Sequence, residues 1–188
     1  MIDVEKGNRS NLRARSCEDV LEEVIFDDSG KSECVDGHCP LKQVLSLRGI
    51  HPDSYLSCYG GKVNDGCPVK LAVVGLGATP YEIARSKFLA QLKHNVGKNL
   101  GFDIHSDGAL RVFENYGMER SFRREFERYM KGEIKVREIF DEVIRDLRLR
   151  PIDLVEITRR VLGKFIRRDE AGREYYERRT FMPVEFFG

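Results

Sequence analysis

The sequence lacks a hydrophobic run long enough to cross a membrane. Its longest nearly apolar stretch, LAVVGLGA at residues 71–78, is far shorter than the about 20 residues of a membrane-spanning helix. The opening stretch, MIDVEKGNRSNLRARS, also lacks the apolar centre of a secretory signal peptide. We therefore expect a cytoplasmic protein with no membrane partner, and we expect residues 1–15 to form a flexible N-terminus.

Cysteine is scarce, and the number of cysteines is odd. The chain has five, which does not suit a framework of paired disulfides. In the reducing compartment that we expect for this chain, structural disulfides seldom persist. The thiols are therefore expected to be reduced, and metal binding becomes a hypothesis to weigh.

The chain has almost no net charge, but its charge is unevenly distributed. It carries 32 basic and 31 acidic residues, a formal net charge of +1. Within residues 148–168, however, seven basic side chains stand against two acidic ones. Such a local excess attracts anionic partners, and we expect nucleic acid or an acidic protein surface to contact five of these residues: Arg159, Arg160, Lys164, Arg167 and Arg168.

The patterning predicts a mainly helical α+β protein with one compact unit. A buried strand is predicted at 69–74, VKLAVV. A helix is predicted from Pro80 to Val96, because Thr79 and Glu82 have capping-box spacing and Gly97 provides a stop. Turn chemistry at Ser106-Asp107-Gly108 predicts a hairpin within residues 101–114.

The C-terminal part is predicted to contain three amphipathic helices followed by a hairpin. The helices are expected at 119–131, 135–148 and 151–162, and the hairpin turn at 169–172. This order is that of a winged helix-turn-helix, in which the third helix approaches the major groove of DNA. We expect a Cys-loop segment at 16–117 and a helical segment at 118–188 that share one core.

Four cysteines lie in predicted Gly-containing loops, and they are the candidate metal ligands. Their intervals of four, 18 and eight residues form only one tight pair, and two of them precede a proline. Irregular spacing and a Cys-Pro step favour an iron–sulfur cluster over zinc. The alternative is that the thiols are small apolar packing residues without metal. The four candidates are Cys34, Cys39, Cys58 and Cys67.

Three further residues bear on that site. Cys17 falls in a predicted helix and is expected to pack against the core rather than to serve as a fifth ligand. His38 and His51 could each replace one thiolate, although exposure to solvent is the favoured interpretation of both.

The stretch VVGLGATP suggests a phosphate-binding turn around Gly75, Gly77 and Thr79. Glycines between a strand and a helix let backbone amides approach a phosphate. The third glycine of the dinucleotide fingerprint is replaced by Pro80, which has no N–H, so no dinucleotide is expected.

Three functional hypotheses follow. The first is a metal-binding accessory or regulatory protein whose basic C-terminal surface meets a partner. The second is a small enzyme or enzyme subunit that binds an anionic ligand at the Gly75–Pro80 turn. The third is a homo-oligomeric structural protein with incidental cysteines. No arrangement of nucleophile and base that would identify a reaction is evident in the sequence.

Overall fold

The computed structural model describes residues 15–25, 40–50 and 68–177. These residues form eight α-helices, a short 3-10 turn and one two-stranded hairpin. The helices are α1 Cys17–Ile25, α2 Pro40–Leu47, α3 Pro68–Gly75, α4 Pro80–Leu100, α5 His105–Asn115, α6 Met118–Met130, α7 Glu138–Asp146 and α8 Pro151–Leu162. The 3-10 turn is Gly163–Phe165, and the strands are β1 Ile166–Arg168 and β2 Glu174–Tyr176. The prediction of a mainly helical α+β protein with a C-terminal hairpin is confirmed for the described residues.

Helix α4 is the centre of the fold. It packs against α1, α2, α5, α6, α7 and α8, and it buries apolar residues such as Phe88, Leu89 and Leu92. Phe88 makes edge-on contacts with Phe113 and Phe122, at 5.5 Å between ring centres in each case. One connected hydrophobic core takes side chains from all eight helices and from the hairpin.

The start of α4 was predicted correctly, but its end was not. The Thr79 hydroxyl accepts a hydrogen bond from the Glu82 N–H at 3.2 Å, and Pro80 is the first helical residue. The helix continues through Gly97 to Leu100, and Gly101 caps it with a φ of 78°. A glycine inside a helix lowers stability without ending it, so Gly97 was a weaker stop signal than Gly101.

The predicted strand at 69–74 is wrong, because these residues lie within helix α3. A short apolar run fits a buried strand and a buried helical turn equally well, and only its neighbours decide. Pro68 begins the helix, and the only strands among the described residues are β1 and β2, which pair with each other. In the part of the chain that the structure describes, the valines therefore have no sheet to join.

The predicted hairpin at 101–114 is also wrong, because residues 105–115 form α5. Ile104, Ala109, Val112 and Phe113 are buried at helical spacing. Asp107 lies in the first turn of α5, where a carboxylate is favoured by the helix dipole. The residue types that predicted a turn here also occur at the beginnings of helices.

The C-terminal hairpin docks on α5. Its strands are antiparallel, with Ile166 opposite Tyr176, and the Tyr176 hydroxyl donates a hydrogen bond to Asp107 Oδ2 at 2.9 Å. A Cβ added at Gly108 would lie 3.3 Å from the Tyr176 ring and 3.4 Å from Leu162. The absent side chain therefore lets α5, α8 and the hairpin approach closely.

Candidate functional site

The four candidate ligands Cys34, Cys39, Cys58 and Cys67, together with His38 and His51, lie outside the described residues. The described cysteine is Cys17, whose thiol donates a hydrogen bond to the Ala78 carbonyl oxygen at 2.9 Å. Burial and the nearby Glu82 carboxylate raise the pKa of this thiol, which favours the neutral packing residue over a thiolate ligand. Within the described ranges, no group of three or more His, Cys, Asp or Glu side chains could hold a metal ion.

Helices α2 and α3 are two copies of one sequence unit, which the sequence analysis overlooked. Residues 39–50 read CPLKQVLSLRGI and residues 67–78 read CPVKLAVVGLGA. The cysteine, the proline, the lysine and the second-to-last glycine coincide. Each copy forms an eight-residue helix that begins at its proline. The repeat was detectable from the Cys-Pro-apolar-Lys pattern alone.

The two copies end in the same way. In the first, the Ile50 N–H donates to the Leu45 carbonyl oxygen at 2.9 Å, and Gly49 has a φ of 77°. In the second, the Ala78 N–H donates to the equivalent Val73 oxygen at 3.3 Å. Gly77 has a φ of 67°. A left-handed glycine with this bond satisfies the last carbonyl groups of a helix. Both glycines therefore serve as helix caps.

Both copies are anchored in the core, and their carboxyl ends meet. Leu41 and Leu45 of α2 and Val69 and Val73 of α3 are buried. Helix α3 packs against α2, which packs against α4. At the carboxyl ends, the Arg48 guanidinium donates to the Leu76 carbonyl oxygen at 2.8 Å. The segments that follow Cys39 and Cys67 in the chain are thus fixed to one scaffold.

The predicted phosphate-binding turn is engaged by the protein's own groups. Gly75 ends α3, and the Thr79 N–H donates to Glu82 Oε2 at 2.9 Å. Arg48 pairs with the same carboxylate at 2.7 Å. Burial opposes ionisation of Glu82, but the hydrogen bonds from Thr79 and Arg48 outweigh it and lower the pKa. The capping box thus occupies part of the donor set that a phosphate would use at the N-terminus of α4.

The predicted basic surface is partly neutralised by the hairpin. Arg159 and Arg168 both pair with Glu174, at 3.0 Å and 3.4 Å, and Arg167 pairs with Glu177 at 3.0 Å. The hydrogen bond from Arg159 is the main reason why the pKa of Glu174 is lowered. Three of the five predicted contact residues therefore have acidic partners within the protein.

The other two basic residues, Arg160 and Lys164, are exposed and one helical turn apart. Neither forms an ion pair within the described part of the chain, although the Lys164 ammonium lies 5.2 Å from the centre of the Phe165 ring. These two side chains are the part of the predicted surface that has no acidic partner among the described residues.

A groove runs along α4, and the sequence analysis did not identify it. Its described lining comes from α2, α4 and residues 101–103, and it has a volume of about 740 Å³. His94, for which the sequence offered no catalytic partner, is one of its exposed lining residues. The signal in the sequence was the placement of polar and basic residues at helical spacing on one side of an otherwise buried helix.

Among the described residues, no helix is long and apolar enough to span a bilayer. No protein-family model, curated protein or solved structure gives a significant match to this chain.

Proposed function

We propose that this chain is a metal-binding accessory or regulatory protein, with Cys34, Cys39, Cys58 and Cys67 as the ligands. The observation that supports it is the duplicated unit of α2 and α3. Each copy carries a cysteine directly before its first helical residue. Two cysteines in equivalent positions of a repeat are better explained by a shared role than by incidental packing.

The position of each cysteine suits a ligand. A metal is bound by the thiolate, and thiolates are favoured next to the N-terminus of a helix, where the backbone dipole is positive. Cys39 and Cys67 are each bonded to the proline that begins an eight-residue helix. The first N–H groups of a helix have no partner within the helix, so a proline, which lacks this group, costs the first turn no hydrogen bond.

The proposal also requires Cys39 and Cys67 to lie close to each other. Helices α2 and α3 have equal length, pack against each other, and meet at their carboxyl ends through Arg48 and Leu76. The assignment requires that the first residues of the two helices also lie at one end of this packed pair. Cys34 and Cys58 would complete the set from the segments that precede each helix.

An iron–sulfur cluster is favoured over a zinc ion. Zinc sites usually use two tight cysteine pairs, and only Cys34 and Cys39 are closely spaced here. Clusters accept wider spacing, and a Cys-Pro step recurs among their ligands. Either group would be held by four thiolates, so the ligand set is the same for both.

Single Cys-to-Ser variants of the full chain test this assignment. Replacement of any of the four candidates is expected to lower bound metal and thermal stability together, because metal binding and folding are coupled at such sites. Cys17→Ser is the matched control, because serine can still donate to the Ala78 oxygen and this thiol is not a proposed ligand. Full metal content in all four variants would refute the assignment.

We further propose that the basic C-terminal surface binds an acidic partner, with nucleic acid as the first candidate. The support is the pair of exposed charges at Arg160 and Lys164, next to the hairpin. The order of three helices and a hairpin resembles a winged helix, although here α8 packs on α4 and α5. We therefore assign α8 and the hairpin to contacts with phosphate groups. Such contacts fix the position of a protein on a nucleic acid without reading the base sequence.

Fluorescence anisotropy with a duplex DNA tests this second part. The double variant Arg160→Gln, Lys164→Gln is expected to weaken binding and to reduce its salt dependence, because fewer phosphates are neutralised. The control is Arg120→Gln, which removes an exposed arginine on α6 that has no ion pair among the described residues. Equal binding by the double variant and the wild-type protein would remove nucleic acid from the proposal.

A further inference from the structure

The groove along α4 has the composition of a binding site for a small anionic molecule. Its volume of about 740 Å³ falls within the range of ligand pockets, roughly 300–1,000 Å³. The described lining includes three lysines, one histidine and one carboxylate, as well as two glutamine side chains. The residues that carry the argument are Gln43, Gln91, Lys93, His94, Lys98 and Asp103.

Basic side chains predominate over acidic ones in this lining. His94 and Lys98 are exposed, and they follow Gln91 at i+3 and i+7, on the same face of the helix. Lys93 lies beside Asp103, with 3.9 Å between its ammonium nitrogen and Oδ1. The single acidic residue thus offsets only part of the positive charge.

Helix stability explains only one of these basic residues. Lys98 lies in the last turn of α4, where a cation is favoured by the helix dipole. That effect fades beyond the last turn, and Lys93 and His94 lie further back. Lys93 has a partner in Asp103, whereas His94 has neither the helix end nor an ion pair among the described residues to account for it.

Two amide oxygens of the groove's side chains have no hydrogen-bond donor among the described residues. They are Gln43 Oε1 and Gln91 Oε1, and both are buried. The Gln91 side chain is oriented by its nitrogen, which donates to the Arg137 carbonyl oxygen at 3.4 Å. A buried acceptor without a donor is unfavourable, so a rotation of these amides towards a ligand with hydroxyl or amine groups would improve this lining.

We propose that the groove binds a small phosphorylated metabolite that also carries hydroxyl or amine groups. The phosphate would lie against Lys98 and Lys93, and its donor groups would face the oxygens of Gln43 and Gln91. The site lies along the outer face of α4 and uses none of the proposed metal ligands. It is thus independent of the metal-binding proposal.

Isothermal titration calorimetry on the full chain tests the groove with two matched pairs: glucose 6-phosphate against glucose, and adenosine monophosphate against adenosine. At least one phosphorylated probe should bind roughly tenfold or more tightly than its parent, because the charge-assisted contacts to lysine are present only with phosphate. Lys98→Gln should weaken that binding severalfold. Lys131→Gln, an exposed lysine on the C-terminal side of α6, should leave it unchanged.

A second variant tests the role of charge in the groove. Gln91→Glu keeps the size of the side chain but adds a negative charge beside the phosphate, so it should weaken the phosphorylated probe more than its parent. Equal affinity of each probe and its parent, or equal binding by the Lys98 and Lys131 variants, would overturn the proposal. Metal content is measured on the same samples, so that a failure of the groove and a failure of the metal site are distinguished.

Discussion

The Arg48 guanidinium donates a hydrogen bond to the Leu76 carbonyl oxygen across 2.8 Å, and this contact joins the ends of the two repeated helices. The same side chain pairs with Glu82 at 2.7 Å, and Glu82 caps α4. One residue thus ties α2 and α3 to the central helix. The arrangement gives both repeats a common, fixed end.

Loss of this contact is expected to lower stability modestly. Arg48→Gln removes the ion pair and the bond to Leu76, while Glu82 keeps its bond from the Thr79 N–H. Because the Arg48 side chain is about 30% exposed, solvent screens the charge, and we expect a loss of about 1 kcal/mol. Urea denaturation measures it, with Arg120→Gln as control. Equal midpoints for the two variants would show that Arg48 does not hold the helices.

The hydroxyl of Tyr176 is expected to stabilise the docking of the hairpin. Tyr176→Phe removes the hydrogen bond to Asp107 Oδ2, and Asp107 Oδ1 has no partner among the described residues. Because a half-buried carboxylate would lose this donor, the free energy of unfolding should fall by about 1–2 kcal/mol. Tyr175→Phe is the matched control, since the neighbouring ring is 44% exposed. A smaller loss for Tyr176→Phe than for this control would contradict the docking contact.

Alkaline pH should destabilise the protein before the tyrosines ionise in the folded state. Burial, and then the bond to Asp107, raise the pKa of Tyr176 to about 12, and burial raises the pKa of Tyr129 to about 12. An unfolded tyrosine has a pKa near 10. The folded protein thus keeps protons that the unfolded chain releases, so stability falls between about pH 10 and pH 12.

Denaturation curves at several pH values check this slope. Tyr176→Phe should lose less stability than the wild-type protein over the same interval, because one of the phenols with a raised pKa has been removed. Identical slopes for the variant and the wild type would mean that Tyr176 is not the source of the effect.

Two glycines in helices should respond in opposite directions to alanine. At Gly97, an added Cβ would meet nothing closer than 4.0 Å, so Gly97→Ala should stabilise the protein by up to about 1 kcal/mol. At Gly108, the Cβ would lie 3.2 Å from the Ile104 side chain. Overpacking there should cost about 1–3 kcal/mol. Thermal unfolding of both variants checks the signs, and stabilisation by Gly108→Ala would contradict the close packing of α5.

Helix starts with a local capping signal were predictable from the sequence. The start of α4 was predicted because Thr79, Pro80 and Glu82 specify a capping box. The start of α8 was predicted because Pro151 fixes it. The segments at 69–74 and 101–114 were not, because a short valine run and an Asp-Gly pair each suit two structures. In both segments, packing against neighbouring helices decided the structure.

The candidate sites, too, were predictable only in part. The excess of basic residues at 148–168 was visible, but its partial neutralisation depends on Glu174 and Glu177 crossing to α8 and β1, which spacing does not reveal. The groove depends on Gln43 of α2 lying beside α4, a tertiary contact. The repeat of Cys-Pro helices was visible in the sequence and was overlooked because its two copies share few other identities.

Anaerobic purification of the full chain, followed by a visible absorption spectrum and elemental analysis, tests the central proposal most directly. We expect a coloured protein with iron and acid-labile sulfide bound to the chain. Zinc in place of iron would keep the four-thiolate site and correct the identity of the metal. A colourless chain that carries no metal, although prepared without air, would contradict the proposed site.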